Sequence, residues 1–290
     1  AGAGAAAGPS PLVHAGAAAA FVAGSRAGNL ARRPSEADNM MPSRRLALAL
    51  LTTPWLIRRA SATPALLDTL LARHVLPHPD GVTRVGYAAW QASSADRAAL
   101  DAWIAEAAGQ RPSVMGRAEA FALWANLYNA LTLKVVLDRY PVRSIRDIRS
   151  TGTGLDPRGW IGPWRTRLVT VEGRALSLDD IEHGIMRPAF QDPRVHYAVN
   201  CASIGCPNLW PRAWRAATLE RDLDAAAAAF VNHPRGVTAL GQGRLRLSSI
   251  YRWFREDFGN TDNGVVAHLR HHAAPPLAER LAGAVATTDH

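Results

Sequence analysis

The segment of residues 117–140 constrains the fold more than any other part of the chain. It reads RAEAFALWANLYNALTLKVVLDRY and is followed by Pro141, which disfavours helical backbone in the residue before it. Helical spacing places apolar side chains on nearly every side of the segment, a pattern typical of a helix enclosed by a core. The sequence therefore predicts a domain packed around one central helix.

Three polar residues share one side of this predicted helix. Glu119, Asn126 and Asn129 fall within about 80° of one another on a helical projection. A buried carboxylate or amide is costly unless it is hydrogen-bonded, so a polar partner must face them. Two interpretations stay open: the three side chains orient a substrate or catalytic groups, or they fix a neighbouring loop by bonding its backbone.

The N-terminal part of the chain differs in character from the rest. Residues 1–39 are rich in Ala, Gly, Pro and Ser without a sustained apolar period, and we expect a disordered or non-native leader. Residues 40–62 combine a basic start, an apolar run over 46–57 and a small-residue site at 60–62, as a secretory signal peptide does. Since a pair of arginines precedes the run, Sec or twin-arginine export to the periplasm or outside the cell is predicted.

Apolar periodicity and turn residues divide the remaining chain into short elements. They predict helices over 63–74, 94–108, 117–140, 178–187, 218–232 and 248–257, and strands over 167–171, 194–200 and 245–247. Ser177 and Asp180 form a capping-box pattern at the start of one helix, and Pro188 is expected to end it. We predict a single α+β domain over 63–290, its buried central helix packed on a small, mostly antiparallel sheet.

The charge distribution argues against a nucleic-acid partner. Of the formal net charge of +9, residues 1–62 supply +5 through seven arginines and two acidic residues, which leaves +4 for the other residues. No basic stripe interleaved with aromatic residues follows. The apolar run of the leader has about half of the roughly 20 residues that a spanning helix needs, so we also expect a protein that does not span a membrane.

Both cysteines of the chain lie in the segment QDPRVHYAVNCASIGCPNLW, residues 191–210. We predict that Cys201 is a nucleophile, because it follows a predicted strand where free backbone amides stabilise a thiolate. His183 is the expected base, with His196 as second choice. The alternatives are a structural disulfide between Cys201 and Cys206, or two inert core thiols.

The predicted chemistry is thiol-dependent acyl transfer, by a hydrolase or transpeptidase with a papain-like or transglutaminase-like arrangement. Asn200 or Asn126 would receive the oxyanion, and the 119–129 stripe would orient the imidazole. The substrate would be a small molecule or a peptide. We expect no cofactor, and no metal either, because a His-x4-Cys-x4-Cys spacing is not a usual zinc pattern. The rival functions are a ligand- or peptide-binding module with a Cys201–Cys206 disulfide, and a redox or metal-handling protein.

Three separated motifs resemble one family. They are EAFALWANLYNALTLKVVLDRYPVRSIRDI, GRALSLDDIEHGIMRPAFQDPRVHYAVNCASIGCPNL and LSSIYRWFREDFGN, in that order, and the resemblance spans roughly residues 85–260. The chain is similar to the family catalogued as domain of unknown function 547. Positions that fit its pattern include Glu119, Trp124, Asn126, Tyr128, Asn129, the IEH of 181–183, His196, Asn200, Cys201, Ser203, Cys206, Pro207, Trp253 and Asp257. The resemblance implies no activity, but it places Ser203 with the candidate substrate-binding residues.

Overall fold

The computed structural model describes residues 64–148, 162–241, 243–282 and 288–289. The predicted leader over 1–39 and the predicted signal peptide over 40–62 lie outside the described residues. Within the described ranges the chain is an α+β domain, as the sequence predicts.

Ten α-helices account for most of the described secondary structure. They are α1 (Pro64–His74), α2 (Tyr87–Ala92), α3 (Ser94–Ala108), α4 (Arg117–Leu137), α5 (Arg187–Phe190), α6 (Val195–Ala198), α7 (Leu219–Val231), α8 (Ile250–Trp253), α9 (Asp262–His272) and α10 (Pro275–Leu281). A π-helix covers Asp180–Met186, and 3₁₀ turns cover Pro112–Val114, Ile145–Asp147, Ala216–Thr218 and Arg255–Phe258.

The strands form small separate sheets and not one larger sheet. They are β1 (Val75–Leu76), β2 (Arg84–Val85), β3 (Val169–Val171), β4 (Arg174–Leu176), β5 (Val237–Gly241), β6 (Arg244–Leu247) and β7 (Thr288–Asp289). The β1–β2, β3–β4 and β5–β6 pairs are antiparallel, while β6 and β7 pair in parallel. The mostly antiparallel pairing is therefore confirmed, and a papain-like or transglutaminase-like arrangement is not.

Helix α4 is the centre of the core, as its apolar sequence predicts. Leu127 and Ala130 have no exposed surface, and Tyr128 retains 1%. The helix is long and apolar enough to cross a membrane by length and composition, but 89% of its apolar window is buried inside the structure. Its hydrophobic surface is thus covered by the protein itself.

The predicted strand over 194–200 is wrong, because Val195–Ala198 forms the helical turn α6. Asp192 starts this turn: its carboxylate accepts from the backbone N–H of Arg194, at 2.8 Å, and its carbonyl accepts from that of Val195, at 3.1 Å. All four residues of α6 are buried. The alternating pattern therefore did not mark a strand with one buried and one exposed face.

The helix predicted from Leu178 has a different end from the one expected. Its capping box is confirmed, since Asp180 N–H donates to Ser177 Oγ at 3.2 Å and Ser177 N–H donates to Asp180 Oδ2 at 2.8 Å. The segment is a π-helix that runs on into α5, and Pro188 lies in the first turn of α5. A proline is tolerated in the first turn of a helix. The expectation that Pro188 ends the helix is therefore wrong, because helical backbone continues to Phe190.

Candidate functional site: a disulfide loop and a histidine network

The two cysteines close a short loop, which we call the Cys201–Cys206 loop. Their Sγ atoms are bonded, and their Cα atoms lie 6.5 Å apart, within the range that a disulfide spans. Since these are the chain's only cysteines, neither carries a free thiol in this structure. Of the alternatives left by the sequence, the geometry favours the structural disulfide.

Asn200 fixes the base of the Cys201–Cys206 loop. Its Nδ2 donates to the carbonyl of Pro207 at 2.6 Å, and its Oδ1 accepts from the N–H of Ala202 at 2.8 Å. The side-chain amide thus bridges both ends of the loop through one donated and one accepted bond to backbone groups. Ser203, at the exposed tip, accepts from the N–H of Gly205 at 3.4 Å.

Arg235 supports the loop from the neighbouring strand region. Its Nη1 donates to the carbonyls of Ile204, at 2.9 Å, and Cys206, at 2.7 Å, and its Nη2 donates to Asn208 Oδ1 at 2.8 Å. Burial lowers the pKa of Arg235 below its ordinary value. Arg235 was not identified from the sequence, because nothing in the sequence distinguishes it from the other arginines of the chain.

The side-chain amides of Asn126 and Asn129, on α4, bond to backbone groups of other segments. Asn129 Nδ2 donates to the carbonyl of Ala198, and its Oδ1 accepts from the N–H of Asn200, both at 2.9 Å. Asn126 makes the same pair of bonds with the backbone of Trp214, at 2.9 and 2.8 Å. The interpretation in which these amides fix a neighbouring loop is the one that fits the structure.

Glu119 departs from the expected buried stripe. It is exposed at the start of α4, where its Oε2 accepts from the N–H of Gly116 at 3.2 Å. A carboxylate in the first turn satisfies a free amide and interacts favourably with the positive end of the helix dipole. Its prediction as a buried orienting residue was therefore wrong in its burial, and capping accounts for its position.

A shallow pocket of about 150 Å³ runs along the Cys201–Cys206 loop. Its apolar lining comes from two stretches of chain, with Val82, Val85 and Tyr87 from the first and Ile204, Pro207 and Leu209 from the second. Polar atoms come from Thr83, Asn200, Ser203, Asn208 and Arg235, and Cys206 also borders it. Neither His183 nor His196 lines this pocket.

The two candidate histidines belong to a second cluster, the histidine network, made by Glu182, His183, Arg187, His196 and Asp257. His196 Nε2 lies 2.7 Å from Asp257 Oδ2, and His196 Nδ1 lies 3.8 Å from Glu182 Oε1. The ring stacks on Phe254 with a centroid distance of 4.3 Å, and its side chain is only 2% exposed. Because a carboxylate faces each ring nitrogen, His196 is not arranged as the base for Cys201.

Arg187 joins the rest of the histidine network. It donates to Asp257 Oδ2 and to Glu256 Oε1, both at 2.5 Å, and its Nη1 lies 3.4 Å from His183 Nδ1. Burial acts to raise the pKa of Asp257, but the hydrogen bonds from His196 and Arg187 outweigh it and lower the pKa to about 2. Asp257 is therefore an anion at neutral pH, held between two cationic or polar partners.

The network continues into the core through Tyr128. Burial, followed by the charge of Glu182 and a hydrogen bond to it, raises the pKa of Tyr128 well above its ordinary value. Glu182 and His183 both lie on the π-helix, a rare element that often occurs at functional sites. The predicted site residues thus separate into two groups, with the cysteines and amides in one and the histidines in the other.

The described residues thus form an α+β domain in which Asn129 of the buried helix α4 bonds to the segment that leads into a disulfide-closed loop, and which also contains a histidine–carboxylate network. Residues 112–231 match the family described as protein of unknown function, DUF547. This segment belongs to that family, as its first two motifs predict; the third motif, over 247–260, lies beyond the match. A search of the curated proteins and a search of the solved structures each found no match to the chain.

Proposed function

We propose that the protein is a ligand- or peptide-binding module whose recognition surface is the pocket along the Cys201–Cys206 loop. The observation that carries the proposal is the way this pocket is held. The disulfide closes the loop, Asn200 bonds across its base, and Arg235 binds two of its carbonyls. A wall fixed before binding loses little conformational freedom when a ligand arrives, which favours affinity.

The lining indicates the class of ligand. A volume of about 150 Å³ is well below the roughly 300–1,000 Å³ of pockets that enclose a drug-sized molecule. It is enough for one aliphatic side chain, and Ile204, which lines the pocket and is 69% exposed at the loop tip, offers that side chain an apolar contact. A short peptide with one aliphatic anchor residue fits these features.

Substitution of Ile204 tests the proposal, with Val114 as a matched control. The two aliphatic side chains are almost equally exposed, at 69% and 70%, but only Ile204 lines the pocket. Binding of capped hexapeptides that vary one aliphatic position would be measured by fluorescence anisotropy. We expect Ile204→Asp to weaken the best peptide by about tenfold, the cost of one lost apolar contact, and Val114→Asp to leave it unchanged.

The binding proposal fails if no peptide in the set binds, or if both variants weaken binding equally. Equal weakening would mean that added negative charge, and not the pocket, controls the affinity. Circular dichroism of the two variants checks that each retains the wild-type fold.

Thiol-dependent acyl transfer by Cys201 is the second candidate, favoured by the position of its disulfide partner Cys206 on the pocket wall with Ser203 and Asn200. The reaction first requires a dithiol reductant, which is oxidised to a disulfide as Cys201 and Cys206 become thiols. A base then takes the proton of the Cys201 thiol, the thiolate adds to a carbonyl carbon, and the intermediate expels an amine or alcohol that takes that proton. Water adds to the resulting thioester, whose C–S bond breaks to release the carboxylic acid and the Cys201 thiol.

Thiol titration separates the two candidates. Iodoacetamide labelling before and after mild reduction, followed over pH, would report any thiol with a lowered pKa. The enzyme candidate predicts that reduction creates one fast-reacting thiol near neutral pH, and that Cys201→Ser removes it. The binding module predicts no labelling before reduction and ordinary thiol reactivity after it.

We also propose that the protein acts in the periplasm or outside the cell and does not span the membrane. The disulfide supports an oxidising compartment, where such bonds persist. N-terminal sequencing of the protein recovered from the periplasmic fraction would test this. A start close to residue 63 is expected, and an uncleaved cytosolic protein would contradict it.

A further inference from the structure

Asp224, His271 and His272 bring three metal-binding side chains together, and none of the three lines the pocket along the Cys201–Cys206 loop. Each offers one ligand atom, and these atoms all lie within 4.8 Å of one another. Asp224 is on α7 and the two histidines end α9, so the group bridges two packed helices.

The side chain of Asn232 fixes the backbone at the end of α9. Asn232, just after α7, donates from Nδ2 to the carbonyl of His272 at 2.8 Å, and its Oδ1 accepts from the N–H of Ala274 at 2.7 Å. The end of α9 is therefore held against the end of α7, and His272 is buried while Asp224 and His271 are exposed. One proposed ligand therefore lies in the packed interior, and the other two lie at the surface.

The charge around the three side chains favours a divalent cation. Arg194 pairs with Asp192 at 2.7 Å, with Glu220 at 2.6 Å and with Asp224 at 2.9 Å. Three carboxylates around one guanidinium leave a local charge of about −2, and a divalent cation bound nearby would be stabilised by this negative charge. Arg194 uses Oδ1 of Asp224, so Oδ2 is available to a metal. The C-terminal end of α9 adds the negative end of its helix dipole.

We propose that Asp224, His271 and His272 form a Zn²⁺ site that joins α7 to α9. Two imidazoles and one carboxylate are a common zinc donor set, and three protein ligands leave a fourth position for water or an exogenous ligand. Zn–N and Zn–O bonds of about 2.0–2.2 Å place tetrahedral ligands about 3.4 Å apart. Rotation of the exposed Asp224 and His271 side chains would bring the three ligand atoms from within 4.8 Å of one another to this spacing.

The experiment is Zn²⁺ titration of the full chain at neutral pH by isothermal calorimetry, without reductant so that the disulfide stays closed. We expect one Zn²⁺ per chain and a rise in the unfolding temperature with Zn²⁺ concentration, because a metal bound only to the folded state stabilises it. Imidazole ¹H–¹⁵N spectra should show shifts of the two ring systems of His271 and His272.

Matched variants distinguish ligands from local charge. Asp224→Asn and Glu220→Gln each remove one carboxylate from Arg194, but only the first removes a proposed ligand. We expect Asp224→Asn and His271→Ala each to weaken Zn²⁺ binding by about tenfold or more, and Glu220→Gln by less than about threefold. Both ligand variants change exposed side chains, and circular dichroism checks their fold.

Two results would overturn the site. One is the absence of Zn²⁺ binding, or binding that survives both ligand substitutions, which would place the metal on other histidines. The other is equal weakening by Glu220→Gln and Asp224→Asn, which would mean that the carboxylates attract the cation without coordinating it.

Discussion

The Cys201–Cys206 loop and the histidine network are both built from polar side chains, but different interactions hold them. The loop depends on a covalent bond and on neutral amides bound to backbone, through Asn129 and Asn200. The network depends on ionised groups, in which Asp257 meets His196 and Arg187. Amide-to-backbone bonds do not titrate, whereas carboxylate pairs do. The loop should therefore resist acid, and the network should weaken in it.

The largest expected effect comes from the amide that links α4 to the loop. Asn129→Ala leaves the N–H of Asn200 without its partner, and an unsatisfied buried group costs about 1–3 kcal/mol. It also removes one of two donors to the carbonyl of Ala198, a loss of about 1 kcal/mol, because that carbonyl still accepts from Trp214 Nε1 at 3.1 Å. We expect the free energy of unfolding to fall by about 3 kcal/mol, measured by urea denaturation. Asn263→Ala, on the exposed side of α9, is the control and should change it by less than about 0.5 kcal/mol. A loss below about 1 kcal/mol for Asn129→Ala would show that water replaces the amide.

A smaller effect should follow removal of the disulfide. In the chain-entropy view, a closure of this length contributes about 2 kcal/mol, so the Cys201→Ala, Cys206→Ala double variant should lose that much. Wild-type protein in reductant should lose a similar amount. The N–H of Ala202 donates to Asn200 Oδ1, so its hydrogen-exchange rate in the double variant tests whether the loop keeps its shape. Full loss of its protection would show that the disulfide, and not Asn200, orders the loop.

The smallest effect is the one that depends on pH. The pKa of Asp257 is about 2 in the folded protein, against about 3.9 in an unfolded chain. The stabilisation is complete above about pH 5 and is lost as the pH falls toward 2. Asp257→Asn should cost about 1 kcal/mol at neutral pH after allowance for solvent screening, and only a small part of that at pH 2, where the folded carboxyl is half protonated.

Glu256→Gln is the control for that experiment, because Glu256 also contacts Arg187 but is 57% exposed. Its substitution should change the free energy of unfolding by less than about 0.5 kcal/mol at every pH. Chemical denaturation from pH 2 to pH 7 measures both variants. A cost of Asp257→Asn that stays constant with pH would mean that packing, and not charge, holds the histidine network.

Local patterns predicted several elements well. Helix α4 follows from an apolar run that faces all directions, and the capping box at Ser177 and Asp180 follows from a side-chain spacing that acts within one turn. The strand over 194–200 was predicted wrongly because Val195–Ala198 is buried on every side, so the alternation of polar and apolar residues there does not report which face is exposed. The sequence also indicated that polar groups must face Asn126 and Asn129, but not which backbone they meet.

The candidate sites depended on contacts between distant residues. Arg235 meets the carbonyl of Cys206 from another element, and Asp224 meets His271 only because α7 packs on α9. Neither pair has a spacing that a sequence pattern could recognise. The pairing of His196 with Asp257 likewise joins two separate motifs of the family resemblance.

The sequence by itself determined the α+β class, the central helix and the family of residues 112–231, because these depend on local periodicity and on motifs. Only the tertiary structure decided that Cys201 meets Cys206 and that carboxylates meet His196 on both sides. The physical reason is that a thiol's or an imidazole's chemistry depends on its nearest neighbours, and packing brings those neighbours from elsewhere in the chain.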